Sequence, residues 1–278
     1  MIFRARDFEW DFSRGTLLVG VINLTPDSFS DGGECLNPEQ ALDKARNFKQ
    51  AGADILDLGA ESSRPGAGPV SPEEELERLS PSLEMILREL DLPISVDTTK
   101  ACVAEKALLM GASIVNDVSG LRADLQMASV VARFKAGLFI MHRRGDAQTM
   151  NDLSHYDDLL AEVLRELQES IDRALKAGIS YDQIVVDPGI GFAKTKDQSL
   201  SILKHLDRFK RFERPLLVGT SRKSFIGEIV QKPAKARLFG TAASVALSVE
   251  RGADLIRVHD VEEMKEVIQV TQAILNAK

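Results

Sequence analysis

The residues able to do chemistry in this chain are far apart, and each stands at or just past the end of a short apolar run. Asn23 follows Leu17-Leu-Val-Gly-Val-Ile22, Asp57 sits inside Ile55-Leu-Asp-Leu58, and Glu61-Ser-Ser-Arg-Pro-Gly66 comes just after it. Asp97, Asn116-Asp117, His142, Asp187, Gly219-Thr-Ser-Arg-Lys223 and Arg257-Val-His259 repeat the arrangement down the chain. By chemistry they fall into three sets. Arg64, Lys223, Arg257 and His259 are donors suited to an anion such as phosphate. Asn23 offers a neutral oxygen, enough to help hold a Mg²⁺ that keeps most of its waters and binds through substrate phosphates. Asp97, Asn116 and Asp187 offer acceptors and an amide that match the edge of a flat, hydrogen-bonding heterocycle.

Each residue also has a plain structural reading. Asp97-Thr98-Thr99 reads equally as a helix N-cap, His142 as a satisfied core histidine, and Asp187-Pro-Gly as a turn. Asn116 and Asp117 are adjacent in a strand and so face opposite sides, leaving one of them structural. Arg257 is harder to explain that way. It interrupts an apolar strand, where a charge is rarely buried without a partner, and its parity matches His259.

Convergence of these residues requires elements that bring strand ends together. Apolar strand candidates fall at 16–22, 54–59, 93–97, 113–117, 137–142, 184–187, 215–219 and 254–258. Helical stretches alternate with them at 38–51, 72–90, 99–110, 123–135, 155–177, 197–211, 234–251 and 261–276. Asn37-Pro38 and Ser71-Pro72-Glu-Glu-Glu75 carry start signals. Ala51-Gly-Ala-Asp54, Met110-Gly-Ala-Ser113, Lys176-Ala-Gly-Ile179 and Arg251-Gly-Ala-Asp254 put a glycine just past a helix and before a strand. Eight αβ repeats predict a single α/β (β/α)₈ barrel over residues 15–278. A doubly wound open sheet competes, but nothing like Gly-x-Gly-x-x-Gly follows the first strand. Loops leaving strands (23–37, 60–71, 142–154, 219–233) are long and polar, and those entering strands are short. Phe8, Trp10 and Phe12 alternate with acids, predicting an N-terminal hairpin within residues 1–14 that plugs the bottom of the barrel.

Composition excludes other classes. A net charge of −7 and a pI near 5.3 give no global attraction for nucleic acid or an anionic membrane. Two distant cysteines and four histidines argue against a zinc site and for reduced thiols in the cytoplasm. No run approaches the length of a membrane span, and the N-terminus has no apolar core of a secretory leader.

Asn23-Leu-Thr-Pro-Asp-Ser-Phe-Ser-Asp-Gly-Gly33 and Glu61-Ser-Ser-Arg-Pro-Gly-Ala67 resemble the two signature loops of the dihydropteroate synthase family. Asp97, Asn116-Asp-Val-Ser119, Asp187-Pro-Gly189, Gly219-Thr-Ser-Arg-Lys-Ser224 and Arg257-Val-His259 follow in the family's order, so the resemblance spans about residues 16–276. It implies a transferase of folate synthesis that joins 6-hydroxymethyl-7,8-dihydropterin pyrophosphate to p-aminobenzoate, needs Mg²⁺ and works as a homodimer. By resemblance, Asp97, Asn116, Asp187 and Lys223 would hold the pterin ring, and Met141 and Gly219 would also be substrate-binding. Ser62, Arg64, Arg257 and His259 would hold the pyrophosphate, and Asn23 the metal. Phe29, Ser63, Pro65, Phe192, Ser221 and Arg222 would line the p-aminobenzoate site. Asp97, Asp187, Lys223, Arg257 and His259 would carry the catalysis.

Three departures stand out. Arg143-Arg144 replaces the expected Met-x, adding positive charge near the mouth, Ser63 replaces the commoner threonine, and Ala193 stands where glycine is usual. A pterin-binding methyltransferase of the same superfamily would share the acids but not need the pyrophosphate donors, and it would want a second, cobalamin-binding region. A non-catalytic pterin-binding paralogue would have lost loop residues. A barrel aldolase would want its lysine inside a strand rather than at Lys223.

Overall fold

A computed structural model describes residues 1–25 and 37–277. The hairpin is formed by β1 (Ile2–Ala5) and β2 (Phe8–Asp11), paired antiparallel with Phe3 opposite Trp10. Eight further strands follow: β3 (Leu17–Asn23), β4 (Ile55–Gly59), β5 (Ile94–Asp97), β6 (Ile114–Asp117), β7 (Gly137–Met141), β8 (Ile184–Asp187), β9 (Leu217–Val218) and β10 (Leu255–Val258). They pair in parallel in the order β8-β7-β6-β5-β4-β3-β10-β9. A parallel bridge between Val186 and Leu216 closes β8 onto β9, giving the expected barrel. The edge it removes would otherwise present unpaired backbone groups.

Helices α1 (Pro38–Gln50), α2 (Pro72–Glu89), α3 (Ala101–Met110), α4 (Met127–Phe134), α5 (Leu159–Lys176), α6 (Lys196–Lys204), α7 (Ser224–Val230), α8 (Leu238–Glu250) and α9 (Val261–Leu275) lie between or after the strands. The start signals act as read. Asn37 and Gln40 form a reciprocal capping box, and Ser71 accepts from the Glu74 amide at 3.2 Å. Gly111 (φ +127) and Gly252 (φ +90) take the backbone conformation that costs other residues most. The boundaries differ where local chemistry overrides periodicity. The stretch expected as one helix over 197–211 breaks after Lys204 into a 3₁₀ turn, Leu206–Phe212. The presumed loop 219–233 contains α7, so Lys223 stands at that helix's N-cap. Strand β9 is only two residues long, bounded by Pro215, which has no N–H to pair, and Gly219.

One apolar layer explains how the site residues converge. Val19, Ile55, Ile114, Phe139, Val185, Leu217 and Leu255 pack inside the barrel with Phe3 and Ala5 from the hairpin. Thus the hairpin does plug the bottom, but through Phe3 and Ala5, both fully buried. Phe8, Trp10 and Phe12 cover it from outside, with Trp10 stacked on Phe3 at 5.3 Å. Because a strand repeats every two residues, the next inward positions toward the C-terminal ends are Asp57, Asn116, Met141, Asp187, Gly219 and Arg257.

Candidate active site

Arg257 lies across the barrel. Its Nε donates to Asp57 Oδ2 at 2.7 Å and its Nη2 to Asp97 Oδ2 at 2.9 Å. Asn116 donates to the same Asp57 oxygen at 3.1 Å, tying a third strand into the network. Asp57 is fully buried, as a strand residue flanked by leucines must be. Burial pushes the Asp97 carboxyl up to about 7, with the Arg257 charge opposing and the Asp57 charge adding to the rise. Asp187 is raised in the same direction by burial, opposed by Lys223, and accepts the Gly189 amide at 2.7 Å.

Lys223 is pushed down to about 8 by burial, against the pull of Asp187. Its ammonium bonds the Ile190 carbonyl and sits 4.6 Å from the centre of the Phe192 ring. His259 is held by Ser221: the hydroxyl lies 3.0 Å from Nδ1 and accepts the His259 amide at 3.2 Å. Its Nε2 faces the Asn23 amide at 3.5 Å. Burial, then the charges of Arg257 and Arg222, hold the His259 pKa well below its ordinary value. It therefore presents a neutral imidazole to an incoming anion, and the full positive charges come from its neighbours. Arg222, in a left-handed conformation (φ 58), forks onto Asp260, with Nε 3.0 Å from Oδ2.

These groups face a cavity of about 340 Å³ at the C-terminal end of the strands, which brings together Asn23, Ser62, Ser63, Arg64, Asp97, Phe192, Ser221, Arg222, Lys223, Arg257 and His259. Asn116, Met141, Asp187 and Gly219 belong to the strand ends rather than to this cavity's wall. Pro65 is exposed on its loop and does not line it. Phe29 lies outside the described residues. The loop carrying Ser62 to Arg64 is anchored from below: Glu61 accepts from Lys100 at 2.7 Å and from the Val70 amide at 3.0 Å, and Lys100 also bonds the buried Glu75 at 2.6 Å.

Several open readings are now decided. Asp117 is the structural member of its pair, accepting from the Ser119 and Leu121 amides at 2.8 and 2.9 Å on the outside of the barrel. Asp97 is no helix cap, since α3 has no side-chain cap and the Ala101 amide goes to Asp124. His142 is a core histidine, 3.1 Å from Glu166 and 2.8 Å from Lys194. The two arginines of residues 143–144 separate. Arg144 is spent on Glu162 and Glu166 and stacks 4.0 Å over Tyr156, away from the mouth, whereas Arg143 is buried beside a second cavity. Ala193 takes φ +49, which is why glycine suits that position. Sequence reading placed Asp57 in the strand-end cluster without giving it a role, and passed over Asp260. The signal for Asp57 was available: an acid within one apolar strand is the natural partner for an arginine within another.

Fold and site define a parallel barrel with charged and polar side chains gathered around one cavity at its strand ends. A family model described as pterin binding enzyme matches residues 19–259. Dihydropteroate synthase of Synechocystis is 46% identical over 266 residues, covering 95% of this chain and 92% of the relative. The Yersinia pestis dihydropteroate synthase, solved with a sulfonamide drug, superposes with a TM-score of 0.96 at 38% identity, with both chains fully covered. The Thermus thermophilus dihydropteroate synthase, solved with 4-aminobenzoate, superposes with a TM-score of 0.89 at 42% identity, covering 99% of this chain and all of that one. The chain belongs to the pterin binding enzymes, in the dihydropteroate synthase family.

Proposed function

We propose that this chain condenses 6-hydroxymethyl-7,8-dihydropterin pyrophosphate with p-aminobenzoate, giving 7,8-dihydropteroate and pyrophosphate in folate synthesis. The observation that carries this reading is Arg257 pinned between Asp57 and Asp97 at the floor of a cavity walled by Ser62, Arg64, Lys223 and His259. An anion has cationic partners there, and a flat ring has Asp97 and Lys223 in the wall, with Asn116 and Asp187 at the strand ends behind it.

In the reaction the bond from the exocyclic CH₂ to the pyrophosphate oxygen breaks, and the electron pair leaves with the pyrophosphate. Arg257 and Arg64, with the His259 N–H, bind the departing charge. Asp97 and Asp187 face the cation left delocalised on the pterin. The aromatic amine, already nucleophilic at neutral pH, attacks the carbon and then loses its proton. No dedicated base is needed, which suits a site that works by charge and positioning. Phe192 and the alkyl stem of Lys223 offer the apolar surface for the benzoate ring, with Ser63 and Ser221 beside it. Arg222 is committed to Asp260, so its part there is to fix the backbone leading into α7.

No group of three or more His, Cys, Asp or Glu residues suited to a metal occurs among the described residues. Asn23 alone fits a Mg²⁺ that is otherwise held by water and substrate phosphates. When bound, such an ion supplies charge neutralisation of the leaving group. We also propose a homodimer through the α8–α9 face, where Phe239 (84% exposed), Leu247, Val270 and Ile274 are exposed apolar side chains. No helix of the described residues is long and apolar enough to cross a membrane, and the exposed Cys102 is a free thiol, which supports a cytoplasmic enzyme.

A pyrophosphate-release assay tests the reaction. Release is expected to require the pterin pyrophosphate, p-aminobenzoate and Mg²⁺ together. Methyl transfer from methyltetrahydrofolate in its place would overturn the assignment.

A further inference from the structure

A second cavity, of about 250 Å³, lies on the other side of the 61–69 loop from the one just described, and shares with it Glu61, Ser62, Ser63 and Asp97. Its wall includes Arg143, Thr99 and Gln148, none of which touches the first cavity. Arg143 is 6% exposed, and among the described residues its Nε has no hydrogen-bond partner. A buried guanidinium is costly to leave unpaired, and it stays protonated at any working pH. The nearby acids, Asp117, Asp97, Asp146 and Glu61, are already engaged, Asp117 by the Ser119 and Leu121 amides. Glu61 bonds Lys100 and the Val70 amide, and Asp97 bonds Arg257. Asp146 accepts from the Gln148 and Thr149 amides at 3.0 and 2.9 Å.

From this geometry we infer that the second cavity is a binding site for a small oxyanion, a phosphate or a carboxylate, held by the Arg143 guanidinium with the hydroxyls of the 61–69 loop and Thr99. The fork of an arginine matches both anions bidentately. The volume has room for a small anion with some solvent. Because Ser62 and Ser63 wall both cavities, an anion beside Arg143 bears on the loop that Ser62 and Arg64 present to the substrate. Asp97 also walls both cavities, so an anion there adjoins a residue of the first site as well as its loop.

The test rests on the proposed function only in taking Arg257 as the principal anion contact of the first cavity. Inorganic phosphate is titrated calorimetrically into the Arg257→Ala enzyme, which has lost that contact. Uptake of one equivalent is expected. It should weaken by about tenfold or more on adding Arg143→Met. The same loss is expected on adding Gln148→Glu, a change on an exposed turn that leaves the core alone and puts a negative charge at the cavity wall. Acetate in place of phosphate shows which oxyanion is preferred: weaker acetate binding supports a phosphate site, and stronger binding a carboxylate site. No uptake by the Arg257→Ala enzyme, or uptake indifferent to both added changes, overturns the inference. Neither result bears on the wild-type pyrophosphate-release assay, so the two readings fail separately.

Discussion

Replacing Asp57 by Asn keeps the shape of a fully buried side chain and removes only its charge. The structure assigns that charge two jobs. Asp57 Oδ2 takes the Arg257 Nε at 2.7 Å and the Asn116 amide at 3.1 Å, while Arg257 keeps a second anchor on Asp97 at 2.9 Å. A hydrogen bond to a charged group contributes about 1.5–3 kcal/mol, and because Asp97 still neutralises Arg257 the full cost of orphaning a buried charge does not arise. We therefore expect a loss of about 2 kcal/mol, or roughly 3–4 °C in melting temperature for a chain of this size. The second job is electrostatic. Burial is the main reason Asp97 titrates near 7, and the Asp57 charge adds to it. The acid limb of kcat/KM, where Asp97 becomes protonated and loses its grip on the cationic ring, should lie near pH 7 in the wild type. It should move to lower pH in Asp57→Asn while staying above the ordinary aspartate value, because desolvation remains. Thermal melts and a pH–rate profile read the two effects on one variant. An unchanged melting temperature together with an unmoved acid limb would refute the network as described.

Other perturbations separate stability from chemistry. Phe3→Ala removes a fully buried ring stacked on Trp10 and 5.9 Å from Phe139, so denaturant unfolding should show a loss of about 3–5 kcal/mol, with kcat/KM at permissive temperature unchanged because the plug is at the far end of the barrel. Ser221→Ala frees the His259 ring and amide and should lower kcat/KM for the pterin pyrophosphate about tenfold, with the thermal melt little changed. Glu166 has its pKa held far down, against burial, by bonds from His142, Arg144 and Arg122. Its contribution is therefore complete above the ordinary glutamate value of 4.5 and lost as pH falls below it, so Glu166→Gln should flatten the acid limb of the stability–pH curve, read by melts across pH.

Much of this arrangement was legible because strands keep a strict period of two. Once Arg257 and His259 are read as facing the same way, the apolar residues two places earlier in each strand become the barrel floor and the polar ones the site. That parity also separates Asn116 from Asp117, and the burial of Asp117 under the Ser119 and Leu121 amides bears it out. What stayed hidden depends on through-space pairing. Nothing in the sequence near Arg222 announces that Asp260, thirty-eight residues on, will take its guanidinium. Nor does Arg143-Arg144 reveal that one arginine is absorbed by Glu162 and Glu166 while its neighbour turns into a cavity. The hairpin shows the limit of pattern: the aromatic alternation marks strand β2, yet the side chains entering the barrel come from β1, whose Phe3 and Ala5 carry no louder signal.

The order of charges across the floor bears on how one site serves an anion and a cation in the same reaction. Arg257 between Asp57 and Asp97 forms a row of alternating sign, and Lys223 beside Asp187 forms a shorter one. With both acids ionised the first row carries one net negative charge and the second none, and burying either costs less than burying its members singly. Within the first row, positive and negative groups stand side by side, with Arg257 2.7 Å from Asp57 and 2.9 Å from Asp97. In the proposed reaction, as the C–O bond lengthens, negative charge would grow toward Arg257 and positive charge toward Asp97 and Asp187, groups already oriented before the reaction starts. Held by Asp57 and Asp97, Arg257 does not have to be reoriented as charge develops on the leaving group, which is how a fixed charge favours the transition state over the substrate.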